Sequence, residues 1–399
     1  MPADMLTISK QPIDKADYKG FLGSCTSIKN FQKLNQLGEG TYGVVHRAVD
    51  RRTKSIVALK AVRIFADGKR DGIPNTALRE ISLLKSLRHQ NIIGVLDVAV
   101  ADRQLDEIYM VMEFAQHDLA DLIDYSGAKF TVSEVKCIMK QLLEGLEYIH
   151  SQDIIHRDIK MSNLLLTSSG ILKIANTPSR LWPRPLLHRP PTHPRRRHNL
   201  VPLPELLFGA KSYTSAVDLW SAGCIMGELI LRAPLLPGST EREQVDKIIA
   251  LLGPPNDRIW PGFRALPLAR MFRLTSLRPN SLNSALKGQS SATIDFVNEL
   301  LVYDPEKRIT AREALEHEYF RERPLALDPG LLPTFPPTKQ VSDKIKSAED
   351  RALLERESSA AADEVVIKQT QGISRGSYGF EFDEEDLSTE SRQHKRARR

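Results

Sequence analysis

The feature that most constrains this chain is a glycine-rich run, Leu37-Gly38-Glu39-Gly40-Thr41-Tyr42-Gly43-Val44-Val45, set between two β-type runs. Phe31 to Gly38, Gly43 to Val49 and Ile56 to Val62 are each bounded by glycine, charged or turn residues, as strands are. GxGxxG alone is a weak signal, because dinucleotide-binding folds share it with a helix after the turn. Here a strand follows instead, and the next strand carries Val57-Ala58-Leu59-Lys60. Positions without side chains let a backbone lid approach phosphate oxygens closely, and a lysine on the neighbouring strand offers them a cation. An ordinary glycine-rich hairpin is the plainer alternative, and the downstream sequence argues against it.

Helical periodicity then takes over. Asn75 to Leu87 places Ala77, Leu78, Ile81, Leu84 and Leu87 on one face, and Ser133 to Ile149 repeats the spacing with Val135, Ile138, Leu142, Leu143, Leu146 and Ile149. Strands thus come first and helices later. Residues 1–30 lack sustained periodicity and read as an extension. Beyond Phe320 the chain is Pro-rich, then charged and Ser-rich, ending in Lys395-Arg396-Ala397-Arg398-Arg399. Such composition buries too little apolar surface to offset ordering entropy, so 321–399 is expected to be disordered. The closing basic run reads equally as a nuclear import signal or a solvated tail.

Hydrophobic content of 41% and charged content of 27% are those of a soluble globular protein. No apolar run approaches the roughly 20 residues that span a bilayer, and MPADMLTISK lacks the apolar stretch of a signal peptide, so nucleus or cytoplasm is expected and no membrane partner. Cys25, Cys137 and Cys224 are scattered, which argues for reduced thiols rather than a disulfide framework or zinc site. The formal charge of +6 resides in residues 176–204, which hold six arginines and no Lys, Asp or Glu. The rest of the chain is balanced, so direct nucleic-acid binding is not expected.

A third element completes the pattern: His156-Arg157-Asp158-Ile159-Lys160-Met161-Ser162-Asn163. With the glycine loop, Lys60 and Glu80 in this order, the chain resembles the protein kinases. Strands first and helices later is the order of a two-lobed kinase, a resemblance that implies an α+β fold with a β-rich lobe at 31–112 and a helical lobe at 116–320. By that resemblance ATP lies under Leu37 to Val45, Lys60 contacts its α- and β-phosphates, and Glu80 pairs with Lys60. Tyr109-Met110-Val111-Met112-Glu113-Phe114-Ala115 is similar to the strand and hinge that receive adenine, through Met112, Glu113 and Ala115. Asp158 is then the base that orients the substrate hydroxyl, Lys160 neutralises the transferring phosphoryl group, and Asn163 binds Mg²⁺. Lys160 two residues after Asp158 is the Ser/Thr rather than the Tyr pattern.

Gly72-Ile73-Pro74-Asn75-Thr76-Ala77-Leu78-Arg79-Glu80 is similar to the cyclin-docking helix of the cyclin-dependent kinases, nearest to the PISSLRE and PITSLRE branches. Gly23-Ser24-Cys25, Ile259-Trp260-Pro261-Gly262-Phe263 and Leu332-Pro333-Thr334-Phe335-Pro336 resemble the PISSLRE branch as well. The resemblance implies a cyclin partner bound through the 72–87 region and protein substrates with Ser or Thr before Pro. It also casts Thr41 and Tyr42 as sites of inhibitory phosphates, Asp218 as support for the catalytic loop, and Arg308 as the partner of Glu205.

The family pattern breaks at one place. Where Asp-Phe-Gly should follow Lys173-Ile174-Ala175, the chain has Asn176-Thr177-Pro178, and eight prolines fall within 176–204. An amide at 176 brings no negative charge to Mg²⁺, and Pro178 replaces a flexible glycine. One reading is a pseudokinase or cyclin-binding scaffold. The other is a kinase whose activation segment is mistranslated, through a frame error or a misplaced splice boundary. The abrupt edges, near-normal length and intact Lys60, Asp158 and Asn163 favour the second. On either reading 176–204 is expected to be a loop over the cleft mouth without a defined element.

Overall fold

Alternation along Ile56–Val62 organises the N-terminal part of the molecule. Val57 and Leu59 join Phe31, Ala48, Ala99, Tyr109 and Val111 in a small core on one face of a sheet. Ala58 turns to the other face, into the main core with Met110 and Met112. The computed structural model describes residues 25–40, 43–62, 75–101, 104–124, 127–175, 203–272 and 279–335. Its first strands are β1 (Thr26–Ser27), β2 (Phe31–Gly40), β3 (Gly43–Asp50) and β4 (Ile56–Val62). Helix α1 (Asn75–Ser86) precedes β5 (Val95–Ala101) and β6 (Gln104–Glu113). The six strands form one sheet in the order β1-β5-β6-β4-β3-β2.

A second, three-stranded sheet lies where the two lobes meet: β7 (His117–Asp118), β8 (Leu164–Leu166) and β9 (Leu172–Ile174). Between β7 and β8 run α2 (Leu119–Asp124) and α3 (Val132–Ser151). Thr131 starts α3 with a capping box to Glu134, and the apolar stripe read from the sequence is fully buried at Ile138, Leu142, Leu143, Leu146 and Ile149. Then follow α4 (Pro204–Leu207), α5 (Ala216–Leu231), α6 (Glu241–Leu252), α7 (Leu282–Ala285), α8 (Ser291–Leu300), α9 (Ala311–Glu316) and α10 (Glu318–Arg321). α5 is buried on nearly all sides, as a helix apolar around its circumference must be. A β-rich lobe followed by a helical one is the bilobal α+β architecture that the kinase resemblance implies.

Three expectations need correction at their edges. The extension does not stop short of the fold at residue 30: Thr26 and Ser27 pair in parallel with Ala99 and Val100, and Thr26 Oγ1 donates to Asp97. Leu203 and Pro204 do not belong to a structureless loop, because both are buried and Pro204 begins α4, where the missing N–H costs nothing. The tail is not uniformly solvated from 321. The Leu327 N–H donates to the Ser133 carbonyl, Leu332 is buried, and Phe335 meets the rings of Phe130 and His117 edge-on. The expectations for 1–24, 176–202 and 336–399 fall outside the described residues.

Candidate active site

Lys60 sits in the middle of β4, opposite Val45 on β3 and Met110 on β6. It is only 5% exposed and lies on the Ala58 face, so a strongly polar group is held at the edge of an apolar cleft. Above it, β2 and β3 form a hairpin closing at Gly40 opposite Gly43. Nothing lies within 4 Å of where a Gly38 side chain would begin, so the loop faces open space there. Leu37 and Val45 pack against the core that contains Ala58 and Met112, and Val44 is half-buried. These residues make an apolar slot with a lysine at its rim. Thr41, Tyr42 and the side chains of Glu39, Gly40 and Gly43 are outside the described residues. So is the Glu80 side chain; its backbone lies in α1, so the Lys60 to Glu80 separation is not part of the described geometry.

The hinge follows Met112, which is buried at the back of the slot. Glu113 ends β6, and Ala115 is half-buried in the link to β7. The Glu113 carboxylate turns to Lys173 on β9, with Nζ to Oε2 at 2.6 Å, and accepts the Gly94 N–H at 3.1 Å.

The loop from His156 to Asn163 is shaped by Asp218 at the start of α5. One Asp218 oxygen accepts the His156 N–H and the other the Arg157 N–H, both at 2.8 Å, while His150 Nε2 lies 2.8 Å from the carboxylate. This grip holds Arg157 at φ 69°, a left-handed conformation that a bulky non-glycine residue rarely adopts. His156 is completely buried. Its Nδ1 accepts the Asp158 N–H at 3.3 Å, so Nε2 carries the proton and donates to the Ala175 carbonyl at 2.9 Å. Burial pushes the His156 pKa down, in keeping with a neutral ring that accepts on one side and donates on the other.

Asp158 projects from this scaffold with its side chain 53% exposed, and Lys160 Nζ lies 2.9 Å from Oδ1. Asn163 Nδ2 donates to Asp158 Oδ2 at 2.9 Å and to its carbonyl at 2.6 Å, which leaves the amide oxygen as this side chain's metal-type donor. A carboxylate, an ammonium and an oriented amide thus converge in one accessible place. Such a set can orient a hydroxyl, accept its proton and face a phosphoryl group. Beyond the divergent segment, Arg308 meets Glu205 through two bonds of 2.9 and 3.2 Å, with both side chains buried.

The structure brings Asp158, Lys160 and Asn163 into contact and puts Lys60 on the strand beside the glycine-loop hairpin. Sequence reasoning did not single out His150, the Ala175 carbonyl, Lys173 or Gly94. His150 had a faint signal, one residue past Ile149 at the end of the apolar stripe and one turn past Leu146. The others are joined across the fold by contacts that no local spacing reports.

Residues 31–320 match the family described as "Protein kinase domain". The chain is 46% identical over 316 residues to Cyclin-dependent kinase 10 of Rattus norvegicus, covering 79% of this chain and 87% of that protein. It is 45% identical over 316 residues to Cyclin-dependent kinase 10 of Homo sapiens, covering 79% and 86%. Against Cyclin-dependent kinase G-2 of Oryza sativa subsp. indica identity is 44% over 337 residues, 82% of this chain and 46% of that longer protein. With the bilobal fold, the cleft lysine and the Asp158 cluster in place, this chain belongs to the cyclin-dependent protein serine/threonine kinases.

Proposed function

We propose that ATP binds between the lobes, with adenine in the Leu37, Val45, Ala58 and Met112 slot and its phosphates toward Lys60. The observation that carries this reading is the Asp158, Lys160 and Asn163 cluster, intact and fixed from behind by Asp218. Asp158 would accept the proton of a Ser or Thr hydroxyl and Lys160 would face the transferring phosphoryl group. A cyclin would seat on the 72–87 region, of which Asn75–Ser86 is helical, and Ser/Thr-Pro sites are the substrate class. The basic terminal run supports a nuclear or nucleocytoplasmic location.

Mg²⁺ fits this donor set only in company with phosphate oxygens. Among the described residues no group of three or more His, Cys, Asp or Glu is placed to hold a metal. Asn163 is the protein donor the geometry supports, and a bound ion would neutralise charge on the phosphates.

We further propose that the chain as it stands transfers phosphate poorly, because position 176 carries an amide in place of the second metal-binding carboxylate. A mistranslated segment in an otherwise intact kinase gene is the favoured cause. A non-catalytic cyclin scaffold is the second reading, favoured by Asn176-Thr177-Pro178 itself. Sequencing the transcript across codons 175–205 separates them: a frame or splice site that restores Asp-Phe-Gly supports the enzyme, and Asn176-Thr177-Pro178 as written supports the scaffold. The biochemical test is Mg²⁺-dependent phosphotransfer by the full chain with a purified cyclin, against Asp158→Asn. Turnover close to that of Asp158→Asn is expected; turnover far above it would show that the loss at 176 is tolerated.

A further inference from the structure

We infer that Lys173 is a positioning residue, and that its ion pair with Glu113 fastens the adenine-binding hinge to the strand that leads into the catalytic loop's anchor at Ala175. The inference rests on the nucleotide-binding reading above and extends it to residues with no assigned role.

Glu113 lies in the hinge, yet its side chain turns away from the cleft. Its backbone N–H donates to the Gly94 carbonyl at 3.0 Å, and its carboxylate accepts the Gly94 N–H and meets Lys173 at 2.6 Å. The approach is close at residue 94, which has no side chain. A Cβ there would stand 3.1 Å from the Glu113 carboxylate carbon, tighter than side chains normally pack. The segment before β5 is itself laced to β9, through Ile174 N–H to the Asn91 carbonyl at 2.8 Å and Ile93 N–H to the Ile174 carbonyl at 3.0 Å.

From Lys173 the connection runs two residues along the chain to Ala175, whose carbonyl holds His156, whose Nδ1 holds the Asp158 backbone. The hinge would receive one end of the nucleotide and Asp158 faces the other. Their separation is thus set through the ion pair and the short strand β9, together with the 91–94 segment bonded to both Glu113 and Ile174. Lys173 is mostly covered, so the pair is less screened than a surface pair, and losing it frees the hinge without emptying a core.

The experiment measures ADP binding by fluorescence titration in EDTA, which removes any dependence on position 176, with the full chain and the variants Lys173→Met, Lys173→Arg, Glu113→Gln and Gly94→Ala. Lys173→Met and Glu113→Gln are expected to weaken ADP about fivefold, Gly94→Ala to follow them, and Lys173→Arg to stay near the parent. The double variant Lys173→Met with Glu113→Gln should be no weaker than either single one. Tm should fall by no more than about 3 °C, so the loss is not unfolding. Amide hydrogen exchange at 113–115 without nucleotide gives a second reading, and should accelerate in Lys173→Met. If the parent binds ADP and Lys173→Met binds it equally well, the inference is overturned while nucleotide binding stands. If the parent does not bind ADP, the nucleotide reading fails, and the exchange rates alone decide whether the pair holds the hinge: unchanged rates overturn it.

Discussion

Arg308 and Glu205 form a forked ion pair with both side chains buried, and the arginine's remaining donors are used as well. Its guanidinium donates to the carbonyls of Val302, Ala216 and Tyr303, and lies 5.1 Å from the Trp220 ring centroid. Glu205 is the second residue of α4, so this pair marks where the chain returns to the kinase pattern after the divergent segment.

Removing one partner should therefore cost far more than a surface pair would. Glu205→Gln leaves a buried guanidinium without its counter-charge, and a loss of about 3 kcal/mol or more is expected in urea denaturation of the full chain. A loss below about 1 kcal/mol would mean the guanidinium finds another anion or water. Arg312 with Glu147, an exposed pair at 3.0 Å, is the control, and Arg312→Ala should leave the midpoint almost unmoved.

Asp218 accepts two backbone N–H groups on separate oxygens, so Asp218→Asn cannot satisfy both. The amide presents an NH₂ group to one of them, at a cost of roughly 1–3 kcal/mol for the group left unsatisfied. Amide exchange at His156 and Arg157 should accelerate more than at core α3 amides. Equal protection in parent and variant would show that Arg157 holds its left-handed conformation without the carboxylate.

Stability should fall in mild acid. Burial is the first cause lowering the pKa of both His156 and His117 from the ordinary 6.5. A lowered folded-state value means the unfolded chain binds the proton first. The contribution is therefore full above about 6.5 and is lost as pH falls from there toward the folded-state values. The slope approaches about 1.4 kcal/mol per pH unit for each such group. Midpoints measured between pH 8 and 5 should decline below pH 6.5, and His117→Gln should flatten the decline. An unchanged slope in that variant would mean His117 is accommodated as a cation.

Gly170 lies at the turn between β8 and β9 with φ +75°, and a Cβ on it would fall 1.8 Å from the Pro329 carbonyl oxygen. Gly170→Ala must both strain the turn and displace residues 328–332, at a cost on the order of 2 kcal/mol or more. The same substitution in a chain ending at Glu322 should cost less, because only the backbone strain remains. Equal costs in both chains would show that the tail yields without penalty.

The sheet and its lysine were legible because β structure repeats every two residues, so Ile56–Val62 alone assigns Ala58 and Lys60 to one face. α3 was legible from a long apolar stripe read from Ser133, and the structure adds the Thr131 and Glu134 capping box that starts the helix at Val132. β1 was not, since two residues have no period and its strand exists only by pairing with a segment more than 70 positions away. The packing of Leu332 and Phe335 was hidden by a Pro-rich composition that reads as solvated, although a few apolar side chains suffice when a groove awaits them. Within the site, the types of Asp158, Lys160 and Asn163 were written in one octapeptide. What holds them was not, because Asp218 and the Ala175 carbonyl reach that octapeptide through the fold.

The parallel pairing of Thr26 with Ala99 has a practical consequence for aggregation. Without it, β5 would be the outermost strand, offering unpaired N–H and C=O groups beside Leu96, a leucine already 54% exposed. A chain begun at Phe31 would keep every residue of the family match and still present Val95–Ala101 as a template for a neighbouring molecule to extend.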